Sequence, residues 1–137
     1  VQVGLSLLIV AVSLVSNQGP LRSFRWWLDT GVQRELALTR AQVIALQVEY
    51  DRTLDRRRRL RRALDEASAE LTRALNRGDL SDDAAVALID RVEEIRRRRN
   101  VARMRLLVAM YFRLTPKQRA RLPGILERTN IAVSPPC

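Results

Sequence analysis

The sequence predicts an all-α protein: an N-terminal apolar anchor or signal helix, then a long antiparallel helical hairpin flanked by shorter helices, assembling as a dimer. Three observations carry this expectation. The 137 residues are 47% hydrophobic but only 4% aromatic, a balance rich in Ala, Leu, Val and Arg that favours one small helical domain over a sheet. Glycine is scarce and proline is confined to positions 20, 116, 123, 135 and 136, so only one short stretch can interrupt a helix between Gln42 and Arg113. Flanking that region are two near copies, Leu38-Thr39-Arg40-Ala41-Gln42 and Leu114-Thr115-Pro116-Lys117-Gln118, each reading L-T-x-x-Q. Residues 1–20 are expected to form the anchor or uncleaved signal, 21–128 the helical domain and 129–137 a flexible tail.

Val3 to Val15 is apolar except for Gly4, Ser6 and Ser13, and is closed by Ser16-Asn17-Gln18-Gly19-Pro20. Its 13 residues suit a signal-peptide core of about 7 to 15 better than a full span of about 20. The chain opens on valine with no basic region ahead of this run, so its start is expected to lie inside the original segment or at an unusual start codon. Arg22, Phe24, Arg25, Trp26 and Trp27 follow and read as an aromatic, basic collar at a membrane interface. Arginines on an exported flank run against the positive-inside trend, and a buried N-terminal core helix is the alternative.

A short amphipathic piece, Trp26 to Ala37, leads to the first motif. Thr39 followed three places later by Gln42 is a capping box, in which the hydroxyl accepts from the N3 backbone N–H and the amide reaches back to the N-cap. The same spacing recurs in Thr115 and Gln118, with Pro116 preorganised at N1, so both copies are predicted to start helices. Leu38 can staple onto Val43, whereas the corresponding residue after the second copy is Arg119. The first long helix is predicted from Arg40 to about Asn76, with a seam of Val43, Leu46, Tyr50, Thr53, Arg57, Leu60, Leu64, Ala67, Leu71 and Ala74. Gly78, free to take positive φ, supplies the stop. Ser81 is the expected N-cap of the second long helix, with Asp82 and Asp83 in its first turn, and that helix is predicted to end near Arg113.

A turn this short makes the two helices antiparallel neighbours, so residues whose numbers sum to about 157 or 158 should face each other. Arg57 would then meet Arg99 or its neighbours, the two charged interruptions of otherwise apolar seams. Around them lie Arg56, Arg58, Arg59, Arg61 and Arg62 on one helix and Arg96, Arg97 and Arg98 on the other. Arg57, Arg58, Arg61, Arg62, Arg96, Arg98 and Arg99 are therefore the candidate partner-binding residues. Such a band repels itself and calls for an acidic partner, a dimer mate or bound anions. Net charge is +10, yet residues 63–95 hold nine acids against Arg73, Arg77 and Arg91, which leaves −6 there and +16 elsewhere. Solvated helix faces and an arginine-favouring genome would also account for charge runs.

No catalytic, cofactor or metal site is expected. Histidine is absent, no serine or cysteine nucleophile motif or glycine-rich phosphate loop occurs, and the carboxylates fall on exposed helix faces. Met104 and Met110 are six apart, about 240° around a helix, and read as core or gap-filling residues. Cys137, the only thiol, follows Ser134-Pro135-Pro136 and cannot form a disulfide within its chain, although it could cross-link a dimer. A cytoplasmic nucleic-acid-binding helical protein is the rival from another class, because an Arg-rich helix in a chain of pI near 11.4 could neutralise phosphates. The acidic tip, the exportable N-terminus and the lack of aromatics among the arginines argue against nucleic acid.

From Trp27 to Leu122 the chain resembles the bacterial periplasmic L-T-x-x-Q family, the Spy/CpxP-like chaperones and stress regulators and the related heavy-metal-resistance sensors. The resemblance rests on Leu38, Thr39 and Gln42, on Leu114, Thr115 and Gln118, and on the Arg-rich hairpin between them. It implies a non-catalytic protein on the periplasmic side of the inner membrane, exported or anchored through its N-terminus. Its relatives form curved helical dimers whose concave faces hold unfolded clients or contact a sensor kinase. Expected partners are an unfolded or acidic protein, a sensor kinase or anti-sigma system, and a second copy. Some relatives bind zinc, nickel or cobalt through histidine, carboxylate and sometimes methionine, and direct metal sensing is disfavoured here by the missing histidines.

Overall fold

A computed structural model describes residues 24–132. The apolar run of the predicted anchor and the final segment with Cys137 lie outside the described residues. A 3-10 turn at Trp26–Leu28 precedes four α-helices: α1 (Thr30–Leu36), α2 (Arg40–Arg77), α3 (Asp82–Tyr111) and α4 (Pro116–Thr129). The described chain is all-helical and contains no strand. No helix of the described residues is long and apolar enough to cross a membrane.

Local chemistry sets the ends of the helices. Asp29 caps α1 by accepting from the Val32 N–H at 3.0 Å, and Ser81 caps α3 by accepting from Ala84 at 3.3 Å. Gly78 ends α2 at φ 74°, a left-handed conformation that costs glycine nothing. Ala37 ends α1 in the same region at φ 51° without that freedom, and a non-glycine residue there costs about 1–2 kcal/mol. The Ala37 and Leu38 N–H groups are satisfied by Arg34 and Gln33 carbonyls, which closes the helix in a Schellman arrangement. The long helices match the predicted bounds to within two residues. The packed chain continues past residue 128, since Asn130 caps α4 at φ 54° and Ile131 is buried.

The hairpin of α2 and α3 is closed at its open end by α1 and α4, and the main core lies there. Phe24, Trp26, Trp27, Leu46, Tyr50, Leu106, Met110, Leu122 and Ile125 are buried together. Phe24, Trp26 and Trp27 therefore do not form the exposed collar that the sequence suggested. Trp27 is fully buried, its ring meets Trp26 edge-on at 5.8 Å, and its indole N–H donates to Gln47 at 2.8 Å. Burying three large rings removes far more apolar surface from water than an interfacial position would, and the single polar atom of Trp27 keeps a partner. A smaller cluster of Leu64, Ala67 and Val92 holds the hairpin toward its tip.

The register across the hairpin differs from the predicted one. Glu70 pairs with Arg91 at 2.8 Å and Glu49 with Arg113 at 2.6 Å, numbers that sum to 161 and 162 rather than 157 or 158. On those sums the position across from Arg57 falls at Met104 or Arg105, past Arg99. The link from Gly78 to Ser81 has its midpoint beyond the glycine taken as the turn, which accounts for part of that shift, and the reach of the long Glu and Arg side chains along the helices adds to it.

Candidate functional site

Both capping boxes form. The Thr39 and Thr115 hydroxyls accept from the Gln42 and Gln118 backbone N–H groups at 3.1 and 3.2 Å. The Gln42 and Gln118 side chains in turn accept from the Thr39 and Thr115 N–H groups at 3.0 and 2.9 Å. What the sequence did not reveal is that the two boxes meet. The Gln42 amide donates to Gln118 Oε1 at 2.8 Å and the Gln118 amide donates back to Gln42 Oε1 at 3.2 Å.

The remaining amide protons bind the ends of other helices. Gln118 Nε2 donates to the Leu36 carbonyl at 3.0 Å, and Gln42 Nε2 donates to the Arg113 carbonyl at 3.1 Å. One motif thus receives the C-terminus of α1 and the other the segment that follows α3, which fills acceptors a helix end leaves open. Gln118 is buried, and no buried side-chain nitrogen or oxygen among the described residues lacks a partner. Leu114 is buried in the main core, and Leu38 and Val43 pack against it. Arg119, which occupies the staple position of the second copy, instead donates through Nε to the Tyr111 and Leu114 carbonyls at 2.9 and 3.1 Å.

Glu49 is the other functional-type residue that the sequence hid, because a glutamate on a long helix reads as a solvated one. It is 6% exposed, and Arg113 donates to it from across the hairpin. Arg57 does not point to Arg99. Its guanidinium stacks 4.5 Å over the Tyr50 ring and donates to Thr53 Oγ1 at 3.2 Å, while Arg25 covers the ring at 5.2 Å. Burial alone would raise the Tyr50 phenol, but hydrogen bonds from Arg25 and Arg57 and their charge outweigh it and hold its pKa below the usual value. Tyr50 thus makes an arginine tolerable in the seam by giving it an aromatic face and a carbonyl.

The girdle is chemically uneven. On α3, Arg96 pairs with Glu93 at 2.7 Å, and Arg97 and Arg98 share Glu94 at 3.0 and 2.9 Å. Those two hydrogen-bonded guanidiniums lower the Glu94 pKa to about 2. On α2, Arg58, Arg61 and Arg62 are exposed and form no ion pair among the described residues; the same holds for Arg56 and Arg59, and for half-buried Arg99 on α3. Three of the four arginines of the α3 run are thus paired with glutamates of their own helix, whereas Arg58, Arg61 and Arg62 of the α2 run are not paired among the described residues.

Met110 is core, but Met104 is not. Met104, Val108 and Phe112 are 46%, 46% and 73% exposed and line an open groove of about 480 Å³ on α3, with Arg105 as its only charged wall. No group of three His, Cys, Asp or Glu side chains among the described residues is arranged to hold a metal ion.

A family model described as LTXXQ motif family protein matches residues 30–125, which takes in both motifs and the hairpin between them. No curated protein and no solved structure matches the chain.

Proposed function

From the premise that the chain belongs to the LTXXQ motif family, we propose that it is a non-catalytic helical protein of the bacterial envelope, acting in the periplasm as a chaperone or stress regulator through protein contacts. The open arginine run of α2 is its recognition surface. The observation that supports this is the contrast between the helices: α3 pairs Arg96, Arg97 and Arg98 with its own glutamates, while Arg58, Arg61 and Arg62 on α2 form no ion pair among the described residues, although Asp55, Asp65 and Glu66 lie within a turn of them. Exposed pairs are each worth only about 0–1 kcal/mol, so recognition depends on several arginines engaging an acidic or unfolded segment together. Arginine suits this work because its planar fork binds carboxylates bidentately and stacks on aromatic side chains of an unfolded chain.

The test is suppression of client aggregation by the wild type and by the triple variant Arg58→Glu, Arg61→Glu, Arg62→Glu. The variant should lose protection while keeping its helical circular dichroism, and salt should weaken the wild type by screening beyond roughly 8 Å at physiological strength. Full protection by the triple variant would reduce the run to a solvated face. Periplasmic placement is tested by a reporter active only outside the cytoplasm, fused after Gln42, which should be active.

A further inference from the structure

Where α3 ends, an exposed aromatic corner stands in a field of one sign. Met104, Val108 and Phe112 recur at steps of four, a stripe about 12 Å long on the face of α3 turned away from Ala102, Leu106 and Met110, which the helix buries. Phe112, at 73%, is the most exposed large hydrophobic side chain among the described residues, and Tyr111 beside it is also exposed. Residues 95–126 contain ten Arg or Lys and no acid. Arg105 walls the groove and forms no ion pair among the described residues. Arg119, held by its Nε bonds to the Tyr111 and Leu114 carbonyls, sets its guanidinium 5.9 Å from the centre of the Phe112 ring. Contiguous apolar surface left in water is unfavourable and marks a place of contact.

We propose that this corner docks on the surface of an anionic phospholipid bilayer, with Met104, Val108 and Phe112 entering the headgroup boundary and Arg105 and Arg119 meeting lipid phosphates. Aromatic and aliphatic side chains gain by leaving water at that depth, while an arginine stem can lie along the apolar layer and keep its head among the phosphates. The guanidinium fork suits a phosphate because it can donate two parallel hydrogen bonds. A folded partner would find little to read in the groove. Besides Arg105 its only polar lining residue is Asn100, whose carbonyl already accepts from Arg103 at 2.8 Å. The position of the corner favours lipid as well. The described chain enters the fold at this end, since Trp26 lines a small cavity with Met110, Tyr111 and Leu122. The apolar run Val3–Val15 ends only eight residues before Phe24, a reach of about 30 Å at most. Docking by the folded domain is a contact of its own, distinct from any that this run makes and from client recognition by α2.

The test uses the full-length chain with Cys137→Ser and one new cysteine carrying an environment-sensitive fluorophore. Val108→Cys puts the probe on the stripe. Ala69→Cys puts it seven residues on from Arg62, on the open arginine face of α2. With vesicles of equal parts phosphatidylglycerol and phosphatidylcholine, the Val108 probe should shift to the blue and be quenched by spin-labelled lipid, and the Ala69 probe should do neither. Attachment through the N-terminal run alone, or loose attraction of the α2 arginines, would not produce that difference. Adding Phe112→Ser to the Val108-labelled chain should raise the lipid concentration for half the shift at least about tenfold, and Arg105→Gln should raise it on the order of fivefold. Circular dichroism confirms that these exposed substitutions leave the helices intact. Pure phosphatidylcholine vesicles, or salt of about 1 M, should abolish most of the shift. A Val108 probe that stays in water on the anionic vesicles would overturn the proposal and leave the corner to an acidic protein. A shift equally strong on pure phosphatidylcholine, one equalled at Ala69, or one indifferent to Phe112→Ser would overturn it as well.

Discussion

Gln118 is the position where a small chemical change should have the largest structural effect. Its side chain accepts from Thr115 N–H and Gln42, and donates to Gln42 and to the Leu36 carbonyl in buried surroundings. At about 1 kcal/mol net for each bond, less what water recovers, Gln118→Ala should cost about 2–4 kcal/mol and lower Tm by roughly 10–20 °C. Gln42→Ala, at a half-buried site, should cost less, about 1–2 kcal/mol, and the double-mutant cycle should show a coupling of about 0.5–1.5 kcal/mol. The decisive variant is Gln118→Glu. Glutamate serves as well as glutamine in an ordinary capping box, but here a carboxylate would face the Leu36 carbonyl and Gln42 Oε1 with no proton to offer. It should therefore destabilise as much as alanine at pH 7. Its pKa should rise in the folded state, so the lost stability should return as pH falls toward the unfolded value of about 4.3 and protonation restores a donor. Chemical denaturation of the wild type and the four variants at pH 7 and pH 4.5 measures this. A Gln118→Glu protein as stable as wild type at pH 7, or a cycle that is additive, would show that the amide pair is incidental.

Thr39→Ala and Thr115→Ala should each cost about 1 kcal/mol in denaturant melts, because each hydroxyl satisfies one N–H that the first helical turn leaves open. Trp27→Ala should cost about 3–5 kcal/mol, and the wild-type tryptophan emission should be blue-shifted and shielded from soluble quenchers, as burial and not interfacial exposure requires. Glu94 should stay ionised down to about pH 2 in a carboxyl NMR titration. Because that pKa is depressed, what the pair contributes is present above the unfolded value near 4.3 and lost as pH falls through about 2, and molar salt should move the midpoint upward.

What was legible in the sequence was local. The Thr-to-Gln spacing, Gly78, Ser81 and the apolar recurrence place the helix ends to within two residues, since each depends on neighbours a turn away. What was not legible depends on distance along the chain. Two glutamines that each satisfy a cap give no sign that their second protons meet across the fold. Trp26 and Trp27 beside an apolar run carry the same letters whether they face lipid or core, and only the packing of Tyr50 and Leu106 against them decides. Arg57 looked like a fault in the seam because the sequence does not show that Tyr50, two turns back, turns its ring toward it.

The meeting of Gln42 and Gln118 also bears on the order in which the chain assembles. The two residues are 76 positions apart, yet the hairpin between them can zip from Gly78 by contacts that each close only a slightly larger loop. Once α2 and α3 are paired, their open ends are already neighbours, and the glutamines have little entropy left to lose. Bonds made that late contribute little to the folding transition state. Gln118→Ala should then leave the refolding rate nearly unchanged and speed unfolding on the order of a hundredfold, as a chevron would show. On that account the paired motif governs how long the protein stays folded, more than how quickly it gets there.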